Sequence, residues 1–210
     1  RELLGETFAG LLVTDRDSAY NWYPVRWRQL CWAHLFRDFE AMRGRGGRAE
    51  ESGDALLAQA HQMFTWWHRV REGTLHRSTF RSYVTSLRRE VERLLEAGSR
   101  CGVPKTDGTC RDILKRREAW WTVVQVDGVE PTHNAAERSL RPGVLWRKGS
   151  VGTQSEEGSC FVESMMTVVT TLKQQQRNVW EYLTEACEAA LRGAAAPSLL
   201  PASDQKAQSA

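Results

Sequence analysis

The amino-acid sequence predicts an α/β protein: a parallel or mixed sheet flanked by helices, with a large helical insertion. Three observations predict it. A short apolar and β-branched run at residues 10–15, "GLLVTD", ends in a carboxylate. A second strand-like run at residues 28–32, "RQLCW", passes straight into a stretch with helical spacing. Two long amphipathic segments then fill the middle of the chain.

Taken in order, "AHLFRDFEAMR" carries Leu35, Phe36, Phe39 and Met42 at helical spacing and stops at "GRGG". "DALLAQAHQMFTWWHRVREG" opens on an acidic cap, Asp54, and sets Leu57, Ala60, Phe64, Trp67 and Val70 on one stripe. "STFRSYVTSLRREVERLLEAG" starts at Ser78 and does the same with Phe80, Val84, Leu87, Val91 and Leu94. These two segments are expected to pack antiparallel. A loop with Gly102, Pro104 and Gly108 precedes a helix expected over residues 110–124. "VEPTHNAAERSLRPGVLWRKG" places Glu137 near a helix start, and "GTQSEEGS" reads as a turn-rich loop. "CFVESMMTVVTTLKQQQ" is a helix with an apolar face, and Asn178 is the expected cap of "VWEYLTEACEAALRG".

Composition bounds the function. The chain has 210 residues, 41% hydrophobic and 26% charged, enough for one domain with a core and an insertion. The net charge of +3 does not announce nucleic acid, but "RWRQL", "RGRGGR", "RDILKRR" and "RSLRPGVLWRK" are local basic clusters. The nine Trp imply large buried or stacking surfaces; the adjacent pairs at 66–67 and 120–121 read as helix-packing residues. The five Cys are odd in number and irregularly spaced, which fits reduced thiols in a cytoplasmic setting. No apolar run is long enough to span a membrane, and no signal peptide is visible. The chain opens on Arg1 almost directly into a strand, as expected of part of a longer protein.

Two carboxylates carry the chemical expectation. Asp15 stands where the first strand should end, and ligands of open α/β sheets bind beyond the carboxyl ends of strands. Glu137 stands in the first turn of a distant helix. Converging, they would form a hard oxygen site of the kind Mg²⁺ or Mn²⁺ prefers, beside a substrate phosphate. Arg138, Arg141, Arg147 and Lys148 would then meet backbone phosphates, and Trp146 could stack on an unpaired base. Each feature also has a plainer reading. Residues 134–137, "NAAE", fit a capping box, which the motif taken alone favours. An Asp at a strand end is commonly a turn residue, and the basic run also fits a solvated helix face. Cys31 and His34, in "CWAH", are half of a zinc pattern with no second pair at ligand spacing, so packing is expected of them. His61, His68 and His76 have no evident partner in the sequence and read as surface or core histidines.

Four stretches, "TDRDSAYNW", "QLCWAHLFRDF", "VEPTHNAAERSLRPGVLWRKGSVGTQSEEGSCFVESMMTVV" and "PSLLP", closely resemble the bacterial transposases of insertion sequence family sixty-six. The resemblance runs from about residue 10 to residue 201. It implies a DDE transposase core of RNase H-like fold, with three carboxylates and two Mg²⁺ (or Mn²⁺) ions. Such a core cuts DNA at transposon ends and joins the freed 3′-hydroxyl to target DNA, as a homo-oligomer on DNA. Asp15 matches the second acid and Glu137 the third; both would be metal ligands. Arg138, Arg141, Arg147 and Lys148 match the basic positions after the third acid, and His34 and Arg37 match the "CWAH…R" segment. The organisation implied is a partial RNase H-like core over 1–45, a helical insertion over 46–128, core helices with Glu137 over 129–196, and a weakly ordered tail over 197–210.

The departures matter too. The family's first Asp lies on an earlier strand, and no Asp precedes Asp15 here. Asp17 stands where an aromatic residue is usual, and is open between a second ligand, a decoy and a drifted surface residue. His133 stands where the family has Asn. With two of three acids, residues 1–210 alone are expected to show little or no strand transfer. The rival expectations are a non-catalytic DNA-binding or assembly remnant, an RNase H-like nuclease that cuts without joining, and a helical scaffold that self-associates through its Trp-rich insertion.

Overall fold

A computed structural model describes residue 5 and residues 7–200. They divide into two compact units at the boundary between residues 135 and 136.

The first unit is built on a small parallel sheet. β1 (Leu12–Thr14) pairs with β2 (Arg28–Leu30) in the register Leu12↔Arg28, Val13↔Gln29 and Thr14↔Leu30. Both expected strands are present, and the connection between them contains two 3₁₀ turns, Ser18–Tyr20 and Val25–Trp27. The sheet is smaller than the sequence predicts: among the described residues it has these two strands, and the fold is mostly helical. Helix α1 (Trp32–Arg43) follows β2 after one residue and buries Trp32, Leu35, Phe39 and Met42.

Helix α2 (Gly47–Arg71) starts well before the expected Asp54 cap. Packing explains the early start. A Cβ on Gly53 would lie 2.5 Å from the Arg43 amide nitrogen and 2.7 Å from the Phe39 carbonyl oxygen, so a bare Gly lets α2 press on α1's backbone. The short 72–76 connection, with Gly73 at φ 72°, reverses the chain into α3 (Arg77–Gly98). His76, read from sequence as a partnerless histidine, is the N-cap of α3 and accepts the Ser78 amide. The buried stripe of α3 is Phe80, Val84, Leu87, Val91 and Leu95, so Leu95 rather than Leu94 completes it.

The expected helix over 110–124 is instead broken. Helix α4 (Pro104–Lys115) begins on a proline, whose missing N–H costs nothing in a first turn. It ends at Lys115 with Arg116 as its C-cap, and a 3₁₀ turn (Arg117–Trp120) leads into the single turn α5 (Thr122–Gln125). The break lets Trp120 and Trp121 both turn inward against Trp32, with ring centroids 6.3 and 5.2 Å away. It also frees backbone groups for the sheet. The Trp120 carbonyl accepts from Trp32 Nε1 at 2.9 Å and Gln29 Nε2 at 3.2 Å. Gln29 Oε1 accepts the Val123 amide at 2.6 Å, and Thr122 Oγ1 donates to the Arg28 carbonyl at 2.6 Å. Gln29 is thus fully buried with its amide satisfied at both ends. All five cysteines are free. Burial, first of all, pushes the Cys110 thiol up to about 12, with Cys101 and Asp107 adding to it, so Cys110 is a packing group.

Arg16, just past β1, ties this unit together through Asp38 on α1 and through Asp112 on α4 at 2.8 Å. Burial raises the Asp38 carboxyl above the ordinary aspartate value. Arg16 and His34 pull it back and Asp112 adds to the rise.

In the second unit, α6 (Asn134–Ser150) leads to α7 (Glu156–Gln174) and α8 (Val179–Leu191). Helix α6 includes Asn134 in its first turn, whereas the capping-box reading places that residue before the helix. Part of the expected loop joins α7, because Ser155 caps it by accepting the Gly158 amide at 3.1 Å. Asn178 caps α8 as expected, accepting the Trp180 and Glu181 amides. Residues 197–199 are tied back: the Pro197 carbonyl accepts from Tyr182 Oη at 2.9 Å and the Leu199 carbonyl from Gln175 Nε2 at 2.8 Å. The weakly ordered tail expected over 197–210 lies outside the described residues from residue 201 on. No helix among the described residues is long and apolar enough to cross a membrane.

Two predictions follow from the packing. Gly53→Ala should destabilise by about 1–3 kcal/mol through overpacking. Gly108→Ala, mid-helix with open space at its Cβ, should stabilise by about 0.5–1 kcal/mol. Thermal melts of the two variants should move in opposite directions. For Asp38, a pKa higher folded than unfolded means that the native state binds the proton more tightly. Its stabilising contribution is complete below the ordinary aspartate value and is lost as pH rises to Asp38's own. Wild type should therefore lose ground to Asp38→Asn as pH is raised through that window, measured by denaturant melts at matched pH.

Candidate functional site

Asp15 lies immediately beyond the carboxyl end of β1, half-buried, and its position is held from several sides. Its Oδ1 accepts the Asp17 amide at 2.9 Å, a local turn that aims the carboxylate. Its carbonyl accepts from Thr14 Oγ1 at 2.8 Å and from Arg28 Nη2 at 3.1 Å. The Arg28 guanidinium is 1% exposed. It also donates to Thr14 Oγ1 at 2.9 Å and to the Tyr20 carbonyl at 3.3 Å. Burial, then the Arg116 charge, lowers the Arg28 pKa, and Asp15 and Tyr20 oppose that shift. Asp17, by contrast, is exposed and accepts the Ala19 amide at 2.8 Å as the cap of the first 3₁₀ turn.

Glu137 is in the first turn of α6, where a carboxylate suits the positive end of a helix. At about 100° per residue, Arg141 and Lys148 fall within about 40° of Glu137, with Arg138 and Arg147 on either flank. All four basic residues are exposed. The opposite side of α6 packs on α7. There Pro142, Gly143 and Trp146 face Phe161, Met165 and Met166 around an apolar cavity of about 310 Å³. A Cβ on Gly143 would lie 2.3 Å from Met166 Cε, the mobile end of a side chain on α7 that would have to turn aside. Pro142 cannot donate to the Arg138 carbonyl, which is left for another donor. Trp146, a stacking candidate in the sequence, is half-exposed and lines this cavity. Asp15 belongs to the first unit and Glu137 to the second.

A third feature was not legible in the sequence. Cys31, His34 and His133 come together, with one ligand atom from each lying within 4.8 Å of the others. Cys31 is the N-cap residue of α1 and His34 lies in its first turn. The Trp32 amide donates to the Pro131 carbonyl at 2.9 Å, which brings the run before α6 onto the start of α1. The His34 and His133 rings stack with centroids 5.1 Å apart and planes 16° from parallel. The third ligand is a lone His, 99 positions beyond His34 (133 − 34), and not part of a second pair at ligand spacing. The signal for it was the His at position 133 in place of the usual Asn.

The sequence profile of the transposase IS66 family matches residues 1–160. A curated relative, the uncharacterized protein y4qI of Sinorhizobium fredii, is 29% identical over 201 residues, covering 88% of this chain and 36% of the relative. The chain therefore spans about a third of that relative's length. No solved structure matches. With a family profile extending over most of its length, the chain belongs to the transposase IS66 family.

Proposed function

We propose that this chain is part of a transposase catalytic core, which cuts and joins DNA strands with divalent metal ions on an RNase H-like framework. The observation that carries the reading is Asp15 at the carboxyl end of a strand in a parallel pair, within a chain of this family. That is where open α/β sheets bind their ligands. Asp15 is the second acid of the triad and Glu137 the third.

The donor set fits a hard divalent cation. Both groups are carboxylates, and Asp15 keeps lone pairs beyond the one that the Asp17 amide uses. Asp15 and Glu137 would hold Mg²⁺ or Mn²⁺, which activates the attacking water or 3′-hydroxyl and stabilises the leaving oxygen of a phosphodiester. The chain's own part is positioning and charge. The Asp17 amide orients the Asp15 carboxylate, and Arg28 fixes the backbone that carries it. Arg138, Arg141, Arg147 and Lys148 line an exposed half of α6 and neutralise backbone phosphates of the DNA. Transposon ends and target DNA are the substrates, bound by a homo-oligomer. Residues 1–210 hold two of the three acids, so strand transfer requires the first acid from outside them.

The test uses residues 1–210 and a longer protein that supplies the first acid, each with Mg²⁺ and transposon-end DNA. Residues 1–210 should join no strands. In the longer protein, Asp15→Asn and Glu137→Gln should each cost several kcal/mol of activation, on the order of a thousandfold in strand transfer, while DNA binding persists. Robust joining by residues 1–210, or by either variant, overturns the assignment. Nicked products that are never joined would identify a nuclease. Binding that ignores Mg²⁺, with no cutting, would identify a non-catalytic remnant. Separately, Arg141→Ala and Lys148→Ala should each lower the slope of log Kobs against log[salt] by roughly 0.9.

A further inference from the structure

We infer that Cys31, His34 and His133 form a binding site for a borderline-soft divalent cation, zinc above all, separate from the carboxylate chemistry. Among the described residues these three are the group whose ligand atoms lie close enough to share an ion, all within 4.8 Å of one another. One thiolate and two imidazoles suit Zn²⁺ or Co²⁺ and discriminate against Mg²⁺, Ca²⁺ and Mn²⁺, which prefer oxygen. Metal–sulfur and metal–nitrogen bonds of about 2.3 and 2.0 Å at tetrahedral angles put the donors roughly 3.3–3.6 Å apart. Closing the triad therefore takes about an ångström of movement, within reach of side-chain rotation.

Accessibility separates a metal site from a nucleophile. Cys31 is 1% exposed, so no substrate carbonyl or phosphate reaches its sulfur. The two half-buried imidazoles leave a path for a bare cation. Arg37 Nη1 stands 3.3 Å from His34 Nε2. Metal at Nε2 takes that lone pair, and metal at Nδ1 puts the proton on Nε2, so Arg37 swings aside in either case. Three protein ligands leave a fourth position for water. The bound ion would staple residues 131–133, the run leading into α6, to the start of α1. The Trp32–Pro131 backbone bond holds the same two segments.

Metal-stripped residues 1–210 are titrated with Co²⁺ and Zn²⁺ in excess Mg²⁺, without DNA, so the outcome is independent of the strand-transfer reading. The expected result is one equivalent of Co²⁺ per chain, with a thiolate charge-transfer band in the near ultraviolet and intense visible bands. Zn²⁺ should displace the Co²⁺ and raise the melting temperature. Cys31→Ser should abolish the charge-transfer band. His133→Asn should weaken binding by at least roughly tenfold and lose the zinc-induced rise in melting temperature, with its metal-free melt unchanged. Cys160→Ser, at an exposed thiol on α7, should bind as wild type does. Absence of the band, or wild-type affinity in Cys31→Ser or His133→Asn, overturns the inference. If Cys31→Ser fails to fold, the His133→Asn titration decides.

Discussion

The start of α1 is the constraint on which the first unit's chemistry depends. A helix start leaves amides without intrahelical partners, and Cys31 caps this one with no side-chain hydrogen bond. Distant backbone takes up the duty. The Cys31 amide donates to the Thr14 carbonyl at 2.7 Å and the Trp32 amide to the Pro131 carbonyl at 2.9 Å. One helix end thereby grips the last residue of β1 and the run before α6. Asp15 follows directly from the first grip, and the Cys31–His34–His133 cluster from the second.

Behind that end lies a buried polar clamp. Gln29 and Trp32 bond the segment around residues 120–123, and Thr122 within that segment donates back to the Arg28 carbonyl, in the middle of an aromatic core. Such a clamp specifies geometry more than it adds stability. Its members are satisfied together, and removing one leaves a buried donor or acceptor unpaired. It also accounts for the broken helix after α4, since a continuous helix would consume the Trp120 carbonyl and the Val123 amide internally. Arg28 extends the same logic towards the surface: a buried cation whose hydrogen bonds go to the backbone and hydroxyl around Asp15.

In the second unit, helical phase divides α6 between two tasks. Glu137, Arg141 and Lys148 share one stripe, and Pro142, Gly143 and Trp146 take the opposite side against α7. This division is written in spacing alone, because 3.6 residues per turn sort the positions before any partner is present. Gly143 is different. Its nearest neighbour is the end of the Met166 side chain on α7, a contact that no local pattern announces.

The same boundary separates the legible from the illegible elsewhere. Both strands, α1, the buried stripe of α3 from Phe80 to Val91 and the Asn178 cap were readable, because periodicity and capping act within a few residues. Asp15 at a strand end was readable for the same reason, as was the acidic start of α6. The early start of α2, the break after Lys115 and the capping role of His76 were not, since each answers to contacts across the core or to a backbone turn. His133 is the clearest case: marked in sequence only as a departure from the family's Asn, it gains chemical meaning when a backbone bond two residues earlier carries it to Cys31 and His34. Family, element types and candidate carboxylates were determined by the sequence itself, through local periodicity and motif. Which side chains share a metal-sized space was decided only by the tertiary structure, because long-range hydrogen bonds and close helix packing, not spacing along the chain, set those distances.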